Sequence, residues 1–215
     1  MKTILCYGDS NTWGFATVER PDGRYQPQER WPGVMAGRLG TDWTIIAEGL
    51  SGRTSVHPDP VEGPWLNGAD YLLPCLRSHR PLDTVAIMLG TNDLKGRFAV
   101  SAFEIAAGLG RLLKIVRNSE AGPAETAPKM LLICPPPILD TFGDTPGFAD
   151  MFAGGREKSL ALPGYCSTIA EENGAAFLDA GKVIRSSAFD GIHLDLDAQE
   201  KLGRAIAEKI KALGW

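Results

Sequence analysis

Valine, isoleucine and leucine gather along the chain in five short runs, at 2–7, 43–47, 83–89, 129–134 and 175–178. The runs are nearly continuous rather than alternating, the pattern of strands buried on both faces. Between them, apolar positions recur at helical spacing. Over 29–39 they are Trp31, Val34, Met35 and Leu39; over 101–117 they include Phe103, Ile105, Leu109, Leu112, Leu113 and Val116. Residues 68–79 follow the same rule, and 196–213 bring Leu196, Leu202, Ile206 and Ile210 to one side. The stretch 154–173 is also helical in pattern but carries Pro163-Gly164. A proline inside a helix removes a donor and crowds the preceding turn, so a break or kink is expected there.

Strands alternating with helices imply an α/β fold with a parallel sheet covered on both faces. For five strands the doubly wound order 2-1-3-4-5 is expected, with the ligand site beyond the carboxyl ends of the strands. No repeat, low-complexity tract or linker divides the chain, so residues 1–215 read as one domain. Two connections are long, 48–67 and 135–152. Long connections in compact domains are commonly functional. The second carries Phe142, Phe148 and Phe152, large apolar groups that seldom stay exposed on loops. A subunit interface is expected for them, and so a homo-oligomer.

Composition narrows the classes. With 22 basic and 26 acidic residues and no basic stripe, nucleic acid is not an expected partner. No run approaches the roughly 18 apolar residues of a membrane span. The first apolar run is too short for a signal peptide, so a cytoplasmic protein without a membrane partner is expected. Cys6, Cys75, Cys134 and Cys166 match no metal or redox spacing and read as reduced core thiols.

The polar residues at the strand ends carry the chemistry. The first run stops at Gly8-Asp9-Ser10, the second near Gly49-Leu50-Ser51-Gly52-Arg53, and the third at Gly90-Thr91-Asn92-Asp93; Asp190-Gly191-Ile192-His193 follows the fifth. A serine hydroxyl needs a base to become nucleophilic, and histidine suits that role near neutral pH. A carboxylate must then fix the imidazole tautomer and stabilise the imidazolium. Asp190, three residues before His193, can do so across a tight turn. Asp195 competes for that role but reads better as the cap of the last helix. The backbone N–H groups of Ser10 and Gly52 and the Asn92 amide can serve a developing oxyanion. Ser10 itself has a plainer reading as a helix cap. Asp9 and Asp93 read as residues that brace their turns. Arg53 reads as a structural pairing before a clamp for an anionic substrate, and His57 and His79 as solvated, with His57 also within the loop that could touch substrate. Trp13 reads equally well as pocket wall or as core.

Taken in order, "GDSNTWG", the Gly52 loop, "GTND" and "DGIH" match the four sequence blocks of the SGNH (GDSL-type) hydrolases. The resemblance spans essentially the whole chain. The stretches "LCYGDSNTWGF", "EGLSGRT", "LDTVAIMLGTND" and "APKMLLICPPP" look closer still to the bacterial arylesterase/acyltransferase (perhydrolase) branch. The resemblance implies a flavodoxin-like three-layer α/β/α fold, with no metal or other cofactor. It implies Ser10 as nucleophile, His193 as base and acid, Asp190 as its orienter, and Ser10, Gly52 and Asn92 as the oxyanion hole. In that branch it also implies a compact oligomer. Asn11 stands where that branch has leucine, and Asn11 and Trp13 are expected at the substrate pocket wall. The expected activity is hydrolysis of small short-acyl esters through an acyl-enzyme, cleared by water or by an alcohol or peroxide acceptor. The alternatives are a carbohydrate acetylesterase or thioesterase on the same triad and, from another class, a non-catalytic binding module.

Overall fold

The computed structural model of the chain describes residues 1–145 and 147–215. One residue of the long 135–152 connection, Pro146, therefore lies outside the described residues. Five parallel strands form one sheet: β1 (Lys2–Gly8), β2 (Trp43–Gly49), β3 (Thr84–Met88), β4 (Lys129–Cys134) and β5 (Ala176–Asp179). Their order is β2-β1-β3-β4-β5, as the alternation of strands and helices predicts. The three inner strands are buried along nearly their whole length, whereas the edge strands β2 and β5 are only half-buried.

Side chains alternate across the pleat and build two cores. Leu5, Tyr7, Val85, Ile87 and Leu132 face α3 (Gly68–His79), α4 (Ala102–Arg117) and α6 (Gly155–Glu172). Ile4, Cys6, Ala86, Met88 and Leu131 face α2 (Trp31–Leu39) and α7 (Leu196–Ala212). Two one-turn helices complete the set, α1 (Ser10–Trp13) after β1 and α5 (Phe148–Met151) inside the long 135–152 connection. All four cysteines are buried free thiols. No helix among the described residues is long and apolar enough to cross a membrane.

The break expected at Pro163-Gly164 does not occur. α6 runs unbroken from Gly155 to Glu172, and α3 likewise contains Pro74. A proline costs one hydrogen bond in the ladder, and burial on either side holds the remainder. In α6 the buried Leu162, Cys166 and Ala170 lie at four-residue spacing across the proline, and all three belong to the core beneath.

The strands end in register where the site must form. Gly8 pairs with Gly49 on one side and Met88 on the other, so the segments after β1, β2 and β3 leave the sheet together. The sharp turn from β1 into α1 brings Thr12 back over the strand end. A Cβ on Gly8 would stand 2.0 Å from Thr12 Oγ1 and 2.8 Å from the Met88 carbonyl. Gly8→Ala is therefore expected to lower unfolding free energy by about 1–3 kcal/mol through overpacking. Gly37→Ala, where a Cβ meets nothing within 4 Å on helix α2, should raise it by about 0.5–1 kcal/mol. Denaturant melts of the two variants beside the parent check both signs.

Candidate active site

Asp9, not Ser10, caps helix α1: its Oδ1 accepts the Asn11 N–H at 3.0 Å. The Ser10 hydroxyl is thereby left to other partners. As the first residue of the helix, Ser10 also has an N–H with no intrahelical acceptor. Ser10 Oγ lies 3.0 Å from His193 Nε2, and His193 Nδ1 lies 2.5 Å from Asp190 Oδ2. The second Asp190 oxygen accepts the backbone N–H groups of Ile192 and His193, at 3.0 and 2.9 Å. The Asp190–His193 turn thus binds its own carboxylate and aims it at the ring. Asp195 caps α7 by accepting the Ala198 N–H at 2.8 Å, and so takes no part in this chain.

Asn11 joins the two halves of the arrangement. Its side chain is 2 % exposed. Its Oδ1 accepts the Leu194 N–H at 3.0 Å, and its Nδ2 donates to the Ile192 carbonyl at 3.4 Å. Those residues flank His193 on both sides. Gln199 Nε2 then donates to the Asn11 carbonyl at 3.1 Å, and Gln199 Oε1 accepts the Trp31 N–H at 2.8 Å. The ring itself stacks on Phe15, with centroids 3.9 Å apart and planes 19° apart.

Ser10, Gly52 and Asn92 line one cleft. Gly52 has φ +84°, a left-handed conformation that disfavours any side chain, and its turn follows directly from β2. Among the described residues, neither the Ser10 nor the Gly52 N–H donates to a protein acceptor. Asn92 donates from Nδ2 to the Arg53 carbonyl at 3.1 Å, which fixes the amide and leaves its second N–H for the cleft. Asp93 braces the same loop by accepting the Ser55 N–H and hydroxyl. Arg53 is buried; it donates to the carbonyls of Gly8 and Glu48, and its guanidinium lies 4.1 Å from the Tyr7 ring centroid. Its role is to tie together the ends of β1 and β2.

The cleft above these groups holds about 180 Å³. One wall is apolar: Phe148, Met151 and Phe152 from the α5 region, with Ile192. Phe142, Phe148 and Phe152 pack on one another, with centroids 5.8–6.5 Å apart, and join the larger core. Of these aromatic groups, for which a subunit interface is expected, Phe148 and Phe152 line the cleft of their own chain and Phe142 packs on both. Ser51, Glu62 and Lys95 add polar lining to the cleft. Asn11 and Trp13, expected at the pocket wall, do not line this cleft. Asn11 is spent on the His193 loop, and the Trp13 ring is covered by the Arg24 guanidinium at 4.4 Å. Phe15, Glu62 and Lys95 were not singled out by sequence reasoning; the signal for Lys95 was its place just after the Gly90–Asp93 turn.

Two buried carboxylates in this region titrate in opposite directions. Burial raises the Asp190 carboxyl, but the His193 hydrogen bond and charge and the two N–H groups outweigh it. They hold Asp190 below the usual carboxylate range. Asp9 is pushed up to about 6, by burial first, and the Asn11 N–H recovers only part of that. Its Oδ2 has no hydrogen-bond partner. Burial likewise raises Asp93, against the Ser55 hydrogen bonds. Away from the cleft, Glu48, Cys75 and His79 place one ligand-type atom each within 4.8 Å of one another. His79 already bonds Glu48 at 3.0 Å, which explains that grouping as an ordinary polar contact. His57 stacks on Phe98 and does not line the cleft.

Residues 6–201 match the model of the GDSL-like Lipase/Acylhydrolase family. Among solved structures, a carbohydrate acetylesterase from Sinorhizobium meliloti shares 44% identity over 99% of this chain and 100% of its own, with a TM-score of 0.93. The aryl esterase of M. smegmatis shares 43% over the same 99% and 100%, with a TM-score of 0.92. A comparison with curated proteins finds no match.

The Asp9 environment sets a pH signature. Between its ordinary value of 3.8 and about 6, the folded chain holds a proton on Asp9 that the unfolded chain has released. Stability from this group is therefore full below pH 3.8 and is lost as pH rises through 6. Asp9→Asn keeps the acceptor for the Asn11 N–H and removes the titration. The stability of Asp9→Asn relative to the parent should climb from pH 4 to 6 and then level off, as read by urea melts across that range.

Proposed function

The chain belongs to the GDSL-like lipase/acylhydrolase family and is a carboxylic ester hydrolase, and from that premise we propose that Ser10 is the nucleophile of a short-acyl esterase. His193 takes the Ser10 proton as the hydroxyl oxygen attacks the ester carbonyl. Asp190 holds the imidazole in the tautomer whose Nε2 faces Ser10 and stabilises the imidazolium. The Ser10 and Gly52 N–H groups and the Asn92 amide receive the oxyanion. His193 returns the proton to the leaving alkoxide as the carbon–oxygen bond breaks, leaving an acyl-Ser10. Water, or an alcohol or peroxide that reaches the acyl-enzyme first, attacks in turn, and its proton travels back through His193.

The observation that carries this reading is the Ser10–His193–Asp190 relay at the base of a cleft of only about 180 Å³. Drug-sized ligands take roughly 300–1,000 Å³, so this volume favours acetyl-sized acyl groups. Two similar proteins are named for aryl esters and for carbohydrate acetates, and both fit a small acyl group on a variable alcohol. We also infer self-association: Val61, Trp65, Tyr71 and Leu73 leave large apolar side chains exposed within 13 residues of chain. A single-chain mass by light scattering would refute it.

The test is turnover of p-nitrophenyl acetate against p-nitrophenyl laurate. The acetate should be the better substrate, and the reverse order overturns the short-acyl reading. On the acetate, Ser10→Ala and His193→Ala should each cost about a million-fold in kcat. Asp190→Asn should cost about ten-thousand-fold, and Asn92→Ala roughly a hundred- to a thousand-fold. Asn11→Leu strands the Leu194 N–H and the Ile192 carbonyl. It should lower kcat by about ten- to a hundredfold with KM nearly unchanged, and Asn11→Asp should recover part of the loss. Equal small losses across the set would contradict the assigned roles.

A further inference from the structure

The polar wall of the cleft contains a lysine that is hard to account for by packing. The Lys95 side chain is 4 % exposed, yet it lines the cleft. Its Nζ donates to Glu62 Oε1 at 2.6 Å and stands 3.7 Å from Asp59 Oδ2, beyond hydrogen-bond length. An ammonium has three donors, so among the described residues two N–H groups of a nearly buried charge remain unspent. Glu62 is the complementary case. Its Oε1 receives both Lys95 and Arg97, the latter at 3.3 Å, while its Oε2 accepts no hydrogen bond from the described residues. A Cβ at Gly52 would stand 3.0 Å from that oxygen. The free carboxylate oxygen therefore sits at the Gly52 end of the cleft, beside a proposed oxyanion donor.

Arg97 alone suffices to tether this loop, since it bonds Asp59 Oδ1 at 2.9 Å and also reaches Glu62. Burying a second cation here carries a desolvation cost that the tether does not require. The network of Asp59, Glu62, Lys95 and Arg97 balances two negative against two positive charges. A neutral network has no reason to select an anion. What it offers is a strong acceptor and unspent donors a few ångströms apart, in a cleft that Phe148, Met151 and Phe152 also line.

We propose that Glu62 and Lys95 recognise hydroxyl groups on the alcohol half of the ester, making an uncharged polyhydroxylated alcohol such as a sugar the preferred leaving group. Glu62 Oε2 accepts from one hydroxyl and Lys95 Nζ donates to a neighbouring one, while the apolar wall receives the acyl group. The inference rests on the reading of Ser10 as the esterase nucleophile. It adds the two residues that set the choice of alcohol.

The experiment compares 6-O-acetylglucose with cyclohexylmethyl acetate, two primary acetates on six-membered rings that differ chiefly in the hydroxyls. The parent should prefer the sugar ester. Glu62→Gln and Lys95→Met should each lower kcat/KM for the sugar ester by roughly 10- to 100-fold, mostly through KM, the range for lost hydrogen bonds to charged groups. The cyclohexylmethyl ester should lose several-fold less, so the ratio of the two falls. A ratio unmoved by both variants, or equal losses on both esters, overturns the proposal and leaves the pair a structural tether. Glu62→Gln is isosteric at a side chain 36 % exposed and carries the test if Lys95→Met fails to fold. A parent that cleaves the cyclohexylmethyl ester but not the sugar ester refutes this inference alone. If it cleaves neither, and Ser10→Ala leaves p-nitrophenyl acetate turnover unchanged, the nucleophile reading beneath it fails too.

Discussion

The arrangement of the site depends on one side-chain amide. Ser10 and His193 are 183 positions apart in sequence and 3.0 Å apart in space. The sheet brings their neighbourhoods together but does not fix the final ångström. Asn11 does that by gripping the backbone on both sides of His193 from a helix of a single turn. That helix is in turn fixed by Gln199 of α7, which also holds the first N–H of α2. The turn that carries Ser10, the His193 loop and the two helices of one face are thus one hydrogen-bonded unit. Each of these bonds lies in the buried interior, where an unsatisfied partner costs about 1–3 kcal/mol, so a small displacement cannot be absorbed by water.

The same neighbourhood shows how placement decides what a carboxylate does. Asp190 reaches Ser10 through His193, and Asp9 precedes Ser10 in the turn. Asp190 collects a ring N–H and two backbone N–H groups and stays ionised. Asp9 collects one and keeps its proton to higher pH. Two acids of one type are separated by their burial and their donors, the usual route by which a fold divides roles among like groups. Asp190 is thus held ionised well into acid, whereas Asp9 takes up a proton as pH falls through about 6.

The sheet order and the meeting of Ser10, Asp190 and His193 were legible in the sequence because both are written in local signals. Continuous apolar runs mark inner strands, and polar turns directly after them mark the rim. The unbroken helix through Pro163 was not legible: proline's local penalty is visible in sequence, but the buried residues that outweigh it are recognised only once packed. Asn11 carried a misleading signal. Adjacent to the nucleophile, it was expected at the pocket wall, and nothing local says that its amide turns towards residues 192 and 194. Glu62 and Lys95 were hidden for a related reason. They lie 33 positions apart on different loops, and a lone lysine or glutamate in a polar stretch reads as solvated. The aromatic cluster was recognised as needing cover, but the choice between another subunit and its own chain is a tertiary fact.

All four thiols lie in the interior and none forms a disulfide. Two of them, Cys6 and Cys134, sit on inner strands of the sheet. Burial makes the Cys6 thiol less acidic, and the hydrogen bond with Cys166 together with burial does the same for Cys134, so these two thiols present almost no thiolate to an alkylating or oxidising reagent. Such reagents reach these sulfurs only when the sheet opens. The chain therefore carries its own clock for structural opening: the rate at which a maleimide consumes Cys6 and Cys134 follows how often the strands part, with no introduced probe.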